Sequence, residues 1–132
     1  MRRKAPLVRD CMTHLPVEAE RCETVIGAER LMEIHSIHHL PVMSGSHLKG
    51  ILSQQDILRA RLRWGDTANE KSLEEICQPN VLTVSPTAPI DEVAIQMLDR
   101  QAGSVVVVDG GYVVGMFTKT DALRVISELF TK

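Results

Sequence analysis

Residues 50–56 read Gly-Ile-Leu-Ser-Gln-Gln-Asp, and residues 115–121 read Gly-Met-Phe-Thr-Lys-Thr-Asp. The glycines lie 115 − 50 = 65 positions apart and the aspartates 121 − 56 = 65. The same offset aligns Val8 with Leu73, Asp10 with Glu75, Val17 with Leu82 and Val25 with Ile90. It also aligns Ala28 with Val93, Met32 with Met97, Leu40 with Val105 and Val42 with Val107. A repeat this regular constrains the fold strongly, because whatever one copy forms the other forms too. Each copy alone would be marginal in size, so the 132-residue chain is expected to fold as a packed pair.

Both copies predict the same elements. A lead-in segment runs to a brief strand, around Val17–Ala19 in the first copy and Val81–Val84 in the second. Thr24, or Pro89 with Asp91, then opens a helix. Its apolar residues recur at a helical period: Val25, Ala28, Leu31 and Met32, or Ile90, Val93, Ala94, Met97 and Leu98. A strand follows at His39–Met43 and at Ser104–Val108. The turns Ser44-Gly45-Ser46 and Asp109-Gly110-Gly111 predict hairpins, with return strands Leu48–Leu52 and Tyr112–Phe117. Helices from about Gln54 and Lys119 close the copies. The class is α/β (α+β), with the order β-α-β-β-α twice. The boundaries are 1–64 for repeat 1, 65–72 for a polar linker and 73–132 for repeat 2.

Composition excludes several function classes. Fifteen basic against seventeen acidic residues give no basic excess, so no nucleic-acid partner is expected. The longest strongly apolar run, Val105–Val108, is far too short to span a bilayer. Cys11, Cys22 and Cys77 are odd in number and lack C-x-x-C spacing, which points to reduced thiols and a cytoplasmic protein. No nucleophile, base and orienting group fall into a set, so no catalytic residues and no enzyme activity are expected. His35, His38 and His39 have helical spacing, but His35 ends a predicted helix and His39 lies in a strand, so no metal site is expected.

Ser53-x-x-Asp56 and Thr118-x-x-Asp121 read first as capping boxes, in which a hydroxyl and an acid satisfy backbone amides reciprocally. A cap explains neither the preceding glycine nor the same seven-residue pattern in both copies. Free amides at a helix start favour an anion, and the hydroxyl can bond it. The carboxylate can accept from the hydroxyls of a ribose. The glycine would let a ligand approach the backbone. Together these suit a nucleoside phosphate.

The chain resembles a pair of CBS domains (cystathionine β-synthase repeats), a Bateman module. The resemblance rests on Val8-Arg-Asp-Cys-Met-Thr13, on His38-His39-Leu40-Pro41-Val42, and on the corners Gly50–Asp56 and Gly115–Asp121. It implies two repeats packed about a pseudo-twofold axis. Two clefts between them would bind an adenosine compound: AMP, ADP, ATP, S-adenosylmethionine or NAD. It also implies a disc-shaped homodimer. The implied function is a stand-alone regulatory module whose ligand signals to a regulated protein. The alternative is a dimerisation or docking module with degenerate, empty clefts.

Carried over residue by residue, one cleft would join Thr118, Lys119 and Asp121 to Thr13, Val17, Glu18, Ile37, His38 and His39. The other would join Ser53 and Asp56 to Val81, Thr83, Ala102 and Gly103. The first holds histidines and Lys119 where phosphate is expected. The second has Gly103, Gln54 and Gln55 and no obvious cation. The Asp121 cleft is therefore expected to be the better nucleotide site. Two departures from the family pattern stand out: Val106 matches Pro41, and Glu18 is an acid near the expected adenine edge. The apolar helical residues Leu58, Leu62, Leu123, Ile126 and Leu129 are read as core, with a dimer interface as the other reading. Trp64 is a candidate interface aromatic. Arg59, Arg61 and Arg63 read as a solvated helix face, with phosphate binding as the other reading.

Overall fold

The computed structural model describes residues 4–15, 19 and 22–131. In chain order the elements are α1 (Val8–Cys11), β1 (Thr13–His14), α2 (Val25–His35), β2 (His39–Ser44), β3 (His47–Ser53) and α3 (Gln54–Trp64). A 3-10 helix (Gly65–Glu70) follows. Then come α4 (Leu73–Ile76), β4 (Thr83–Val84), α5 (Ile90–Arg100), β5 (Ser104–Asp109), β6 (Tyr112–Thr118) and α6 (Lys119–Leu129). The two central helices, the hairpin strands and the closing helices stand where the repeat placed them. Within the expected linker, 65–72, the chain forms the 3-10 helix Gly65–Glu70. The brief first strand expected at Val17–Ala19 falls largely outside the described residues. Among the described residues, no helix is long and apolar enough to cross a membrane.

The chain forms two compact units, and they do not coincide with the two sequence copies. One unit joins residues from Leu82 onward to the segment ending at Leu15; the other spans residues 16–81. We call them the Asp121 unit and the Asp56 unit. In each, the body of one copy carries the lead-in segment of the other.

In the Asp121 unit the sheet order is β1-β6-β5-β4. β5 is central, parallel to β4 and antiparallel to β6, and Val105, Val106 and Val107 are fully buried. Val106 donates its N–H to the Leu82 carbonyl at 2.9 Å, a bond that a proline at the matching Pro41 cannot make. The lead-in segment is tied on by Val8 N–H to the Ala88 carbonyl (2.8 Å) and Ile90 N–H to the Pro6 carbonyl (3.0 Å). Val8 is fully buried in the core with Val93, Met97 and Phe117. The turn between β5 and β6 uses Gly110 and Gly111, both at positive φ, as a type I′ hairpin turn requires.

The Asp56 unit pairs β2 with β3. Its lead-in segment attaches through a reciprocal pair: Ile51 N–H to the Gln78 carbonyl (3.0 Å) and Gln78 N–H to the Ile51 carbonyl (2.9 Å). The core gathers Val25, Ala28, Met32, Leu40, Leu52 and Ile57, and the 3-10 helix adds the fully buried Ala68.

The duplication extends to irregular features. Both hairpins shift register at matching positions, Val42/Met43 and Val107/Val108. α2 and α5 both end on a left-handed residue, Ser36 at φ 52° and Gln101 at φ 54°. The next residue folds back, Ile37 N–H to the Met32 carbonyl and Ala102 N–H to the Met97 carbonyl. This closed helix end delivers the chain to His38 in one unit and Gly103 in the other.

The expected core role of the exposed helical leucines is not what the structure shows. Leu62 of α3 is 80% exposed and Leu123 of α6 is 65% exposed; Leu58, Ile126 and Leu129 are exposed as well. Ile57 and Ala60 of α3, and Ala122 and Val125 of α6, pack inward instead. Trp64 is half-buried against its unit's core, flanked by Arg63 (4.8 Å) and Lys71 (5.0 Å) at its ring. Nor are the arginines merely solvated: Arg59 bonds Asp56, and Arg61 bonds Glu29 and Asn69.

Candidate functional site

Each unit places one capping box at the junction of its return strand and its closing helix. Ser53, extended at φ −111°, accepts the Asp56 N–H (3.1 Å), and the Asp56 carboxylate accepts the Ser53 N–H (2.8 Å). Thr118 accepts the Asp121 N–H (3.4 Å), and Asp121 accepts the Thr118 N–H (2.9 Å) and hydroxyl (3.2 Å). Asp56 and Asp121 are the buried charged residues among those described, at 3% and 1% exposure. A carboxylate at that depth needs a full set of donors.

The remaining donors come from two sources. One is the same helix, three residues on: Arg59 reaches Asp56 (3.3 Å) and Arg124 reaches Asp121 (3.0 Å). The other is the lead-in segment. Thr13 donates its hydroxyl to Asp121 at 2.8 Å, and Gln78 donates its side-chain amide to Asp56 at 3.0 Å. Gln78 and Arg124 were not singled out in the sequence, and Arg59 was read only as part of a helix face, although the signal was present in the offset: 78 − 13 = 65 and 124 − 59 = 65. Asp121 accepts from four protein donors, so a ribose there would have to replace one of them, whereas Asp56 accepts from three.

The corner glycines serve the protein itself. A Cβ on Gly50 would lie 2.5 Å from the Gln78 carbonyl oxygen and 2.6 Å from the Cys77 Sγ. One on Gly115 would lie 2.7 Å from the Met12 Sδ and 2.8 Å from the Thr13 carbonyl oxygen. The expected close approach exists, but its occupant is the lead-in backbone and not a ligand. The lead-in can donate to the buried carboxylate only because it passes this close.

The first residue set divides. Thr13, Thr118, Lys119 and Asp121 meet in the Asp121 unit. Ile37, His38 and His39 belong to the Asp56 unit, while Val17 and Glu18 lie outside the described residues. In the second set, Ser53, Asp56 and Val81 belong to the Asp56 unit and Thr83, Ala102 and Gly103 to the other. Each corner also joins residues that sequence reasoning kept apart. The Nδ1 of exposed His38 lies 3.0 Å from the Gln54 Oε1. The Lys119 N–H donates to the Gly103 carbonyl (3.1 Å), and the Lys119 Cε would lie 3.5 Å from a Cβ on Gly103. Gly103 therefore has a cation beside it, contrary to expectation. The two pairs are equivalents, since 103 − 38 = 65 and 119 − 54 = 65.

Among the described residues no group of three His, Cys, Asp or Glu side chains could hold a metal ion. The three cysteines are unpaired. Burial, followed by the Asp56 charge, pushes the Cys77 thiol up; burial and the Asp10, Glu128 and Asp121 charges do the same to Cys11. Both shifts disfavour the reactive thiolate.

Comparison with known proteins agrees with this architecture. The chain is 33% identical over 126 residues, 94% of its length, to the L-aspartate semialdehyde sulfurtransferase of Methanocaldococcus jannaschii. It is 29% identical over 107 residues, covering 80% of this chain and 75% of the relative, to hypoxic response protein 1 of Mycobacterium tuberculosis. The chain spans only about a quarter (24%) of the sulfurtransferase's length. Among solved structures it is similar to a CBS domain pair crystallised with 5-methylthioadenosine and S-adenosyl-L-methionine. That similarity has a TM-score of 0.78 and 32% identity, and covers 95% of this chain and 98% of the other. The CBS domain family model matches residues 8–63 and 73–128, a segment in each copy carrying its own lead-in and corner. The chain therefore belongs to the CBS domain family, as a tandem CBS domain pair.

Proposed function

We propose that this CBS pair is a regulatory, non-catalytic module that binds an adenosine-containing ligand, with the Thr118–Asp121 corner as its preferred site. In this reading residues 1–64 and 73–132 are its repeats and 65–72 its linker. The observation that carries the proposal is the similar pair that holds two adenosine compounds, together with the duplicated corner kept in this chain. The Asp121 corner is favoured because it gathers two hydroxyls, a carboxylate and Lys119 at one helix start. A ribose hydroxyl can replace the Thr13 hydroxyl on Asp121 in kind.

AMP, ADP or ATP is the first expectation, with Lys119 meeting phosphate. Methylthioadenosine or S-adenosylmethionine is the second, favoured by the relative's contents. The module works as a cytoplasmic homodimer, in keeping with its unpaired thiols. Its ligand signals to a regulated protein by preferring one of two arrangements of the module.

Isothermal titration of AMP, ADP, ATP, methylthioadenosine, S-adenosylmethionine and NAD tests this. Asp121→Asn is expected to weaken binding about 10-fold or more, the scale of a hydrogen bond to a charged group, and Asp56→Asn much less. Equal losses would remove the asymmetry. Lys119→Met is expected to weaken the nucleotides but not methylthioadenosine. No heat and no thermal shift with any of these compounds would favour the docking module with empty clefts.

A further inference from the structure

We infer that a ligand at the Asp121 corner displaces the Thr13 hydroxyl, so that binding loosens the lead-in segment where the chain crosses into the other unit. This rests on the reading above that a ribose meets Asp121, and it names how that site is coupled to the rest of the chain. A carboxylate offers about four acceptor positions. At Asp121 they are all taken. Oδ1 accepts from the Thr13 hydroxyl (2.8 Å) and Arg124 (3.0 Å), and Oδ2 from the Thr118 N–H (2.9 Å) and hydroxyl (3.2 Å). A ribose hydroxyl therefore binds this carboxylate only by exchange.

The four donors differ in how readily they leave. The Thr118 hydroxyl also accepts the Asp121 N–H, so moving it breaks the cap, and the Thr118 N–H is part of the same cap. Arg124 carries the charge that offsets a carboxylate only 1% exposed. Thr13 is neutral and half-buried, and it lies on β1, a two-residue strand at the edge of its sheet. The rest of the lead-in is held elsewhere: Val8 and Arg9 donate to the Ala88 and Pro86 carbonyls (2.8 and 3.1 Å). Exchange at Asp121 thus frees the β1 end and leaves the α1 end anchored. The β1 end is also where the Asp121 unit gives way to the other, after Leu15.

The Asp56 corner lacks this coupling. Among the described residues its Oδ1 accepts from Gln78 (3.0 Å) and Arg59 (3.3 Å), but its Oδ2 accepts from the Ser53 N–H alone (2.8 Å). A ribose hydroxyl can add at Oδ2 with Gln78 still in place. Gln78 is also held by its backbone, through the reciprocal bonds with Ile51. One corner trades a lead-in donor for its ligand, and the other does not.

Isothermal titration of the full chain with AMP, ADP, ATP, methylthioadenosine, S-adenosylmethionine and NAD tests the exchange. Thr13→Val removes the competing donor and keeps the shape of the side chain. It is expected to tighten binding about 10-fold, the scale of one hydrogen bond to a charged group, even though it weakens the fold. Thr13→Ser keeps the donor and is expected to bind as wild type does. Asp121→Asn added to Thr13→Val is expected to abolish the gain, which ties it to this corner. Gln78→Leu is expected to leave the affinity unchanged. In the wild type, saturating ligand is expected to speed hydrogen exchange at the Thr13 and His14 amides and not at Val8 and Arg9. If wild type binds but Thr13→Val weakens or merely preserves affinity, or if ligand slows exchange at Thr13 and His14, Thr13 is not displaced and the adenosine-binding reading stands. If Gln78→Leu tightens binding equally, the difference between the corners falls. If wild type binds none of these compounds, the exchange and the adenosine-binding reading fall together.

Discussion

The two corners are the same device built with different parts. Each caps a helix, buries a carboxylate, and uses a glycine to let a lead-in strand pass against the return strand. At Asp121 the lead-in gives a threonine hydroxyl; at Asp56 it gives a glutamine amide. Where one unit has a histidine just before the strand and a glutamine on the helix, the other has a glycine and a lysine. What the duplication kept is geometry: the cap, the close approach and the burial. What it let drift is the chemistry presented around that geometry. Function is therefore sought in the differences between the copies, and stability in what they share.

The glycines give the largest effects by which to break this comparison. Gly50→Ala forces a Cβ against a backbone carbonyl and a thiol, and is expected to destabilise the protein by about 3 kcal/mol, the upper end for overpacking. Gly115→Ala meets the end of the flexible Met12 side chain first and is expected to cost less, about 2 kcal/mol. Urea unfolding measures both. If both are tolerated without loss, the lead-in strands are not held where the corner needs them.

The lead-in donors come next. Thr13→Val and Gln78→Leu each remove one hydrogen bond to a buried carboxylate and are expected to cost about 1–2 kcal/mol. In a double-mutant cycle, Thr13→Val with Asp121→Asn should be strongly non-additive. Thr13→Val with Asp56→Asn should be additive. Additivity in the first cycle would show that the lead-in and the corner are energetically separate.

The smallest effect concerns the ion pair that only the Asp56 unit possesses. Hydrogen bonding to Arg61 lowers the Glu29 pKa below its ordinary 4.5, against a smaller opposing effect of burial. A depressed carboxyl stabilises the fold above its unfolded-state pKa, and that stability is lost as pH falls through the lowered folded value. Glu29→Gln should therefore flatten the acid limb of stability below about pH 4.5 and leave its shape near neutrality unchanged. The pair is partly exposed, so the effect is held to about 0.5 kcal/mol by solvent screening. An unchanged acid limb would mean that the packing of α2 on α3 owes nothing to this charge.

Much of the local structure was legible because its causes are local. A cap binds three residues ahead, a tight hairpin turn needs one or two residues at positive φ, and a helix shows its period within a few turns. Hence Gln54 and Lys119 begin helices as expected, and Gly110 and Gly111 turn the chain. Residues whose role depends on a distant partner were less legible. The glycines were read as room for a ligand, the helical leucines as core, and the arginines as solvated.

By itself, the sequence determined the duplication, the element order, the two capping corners and membership of the CBS family. These rest on patterns within one copy and on the offset between copies. Only the tertiary structure decided that each lead-in segment joins the other copy's body. It thereby set Thr13 against Asp121 across 108 positions and Gln78 against Asp56. The physical reason is that a buried carboxylate or an apolar face constrains only the chemistry of its neighbours. Which neighbours arrive depends on the path of the whole chain, and no local pattern encodes that path.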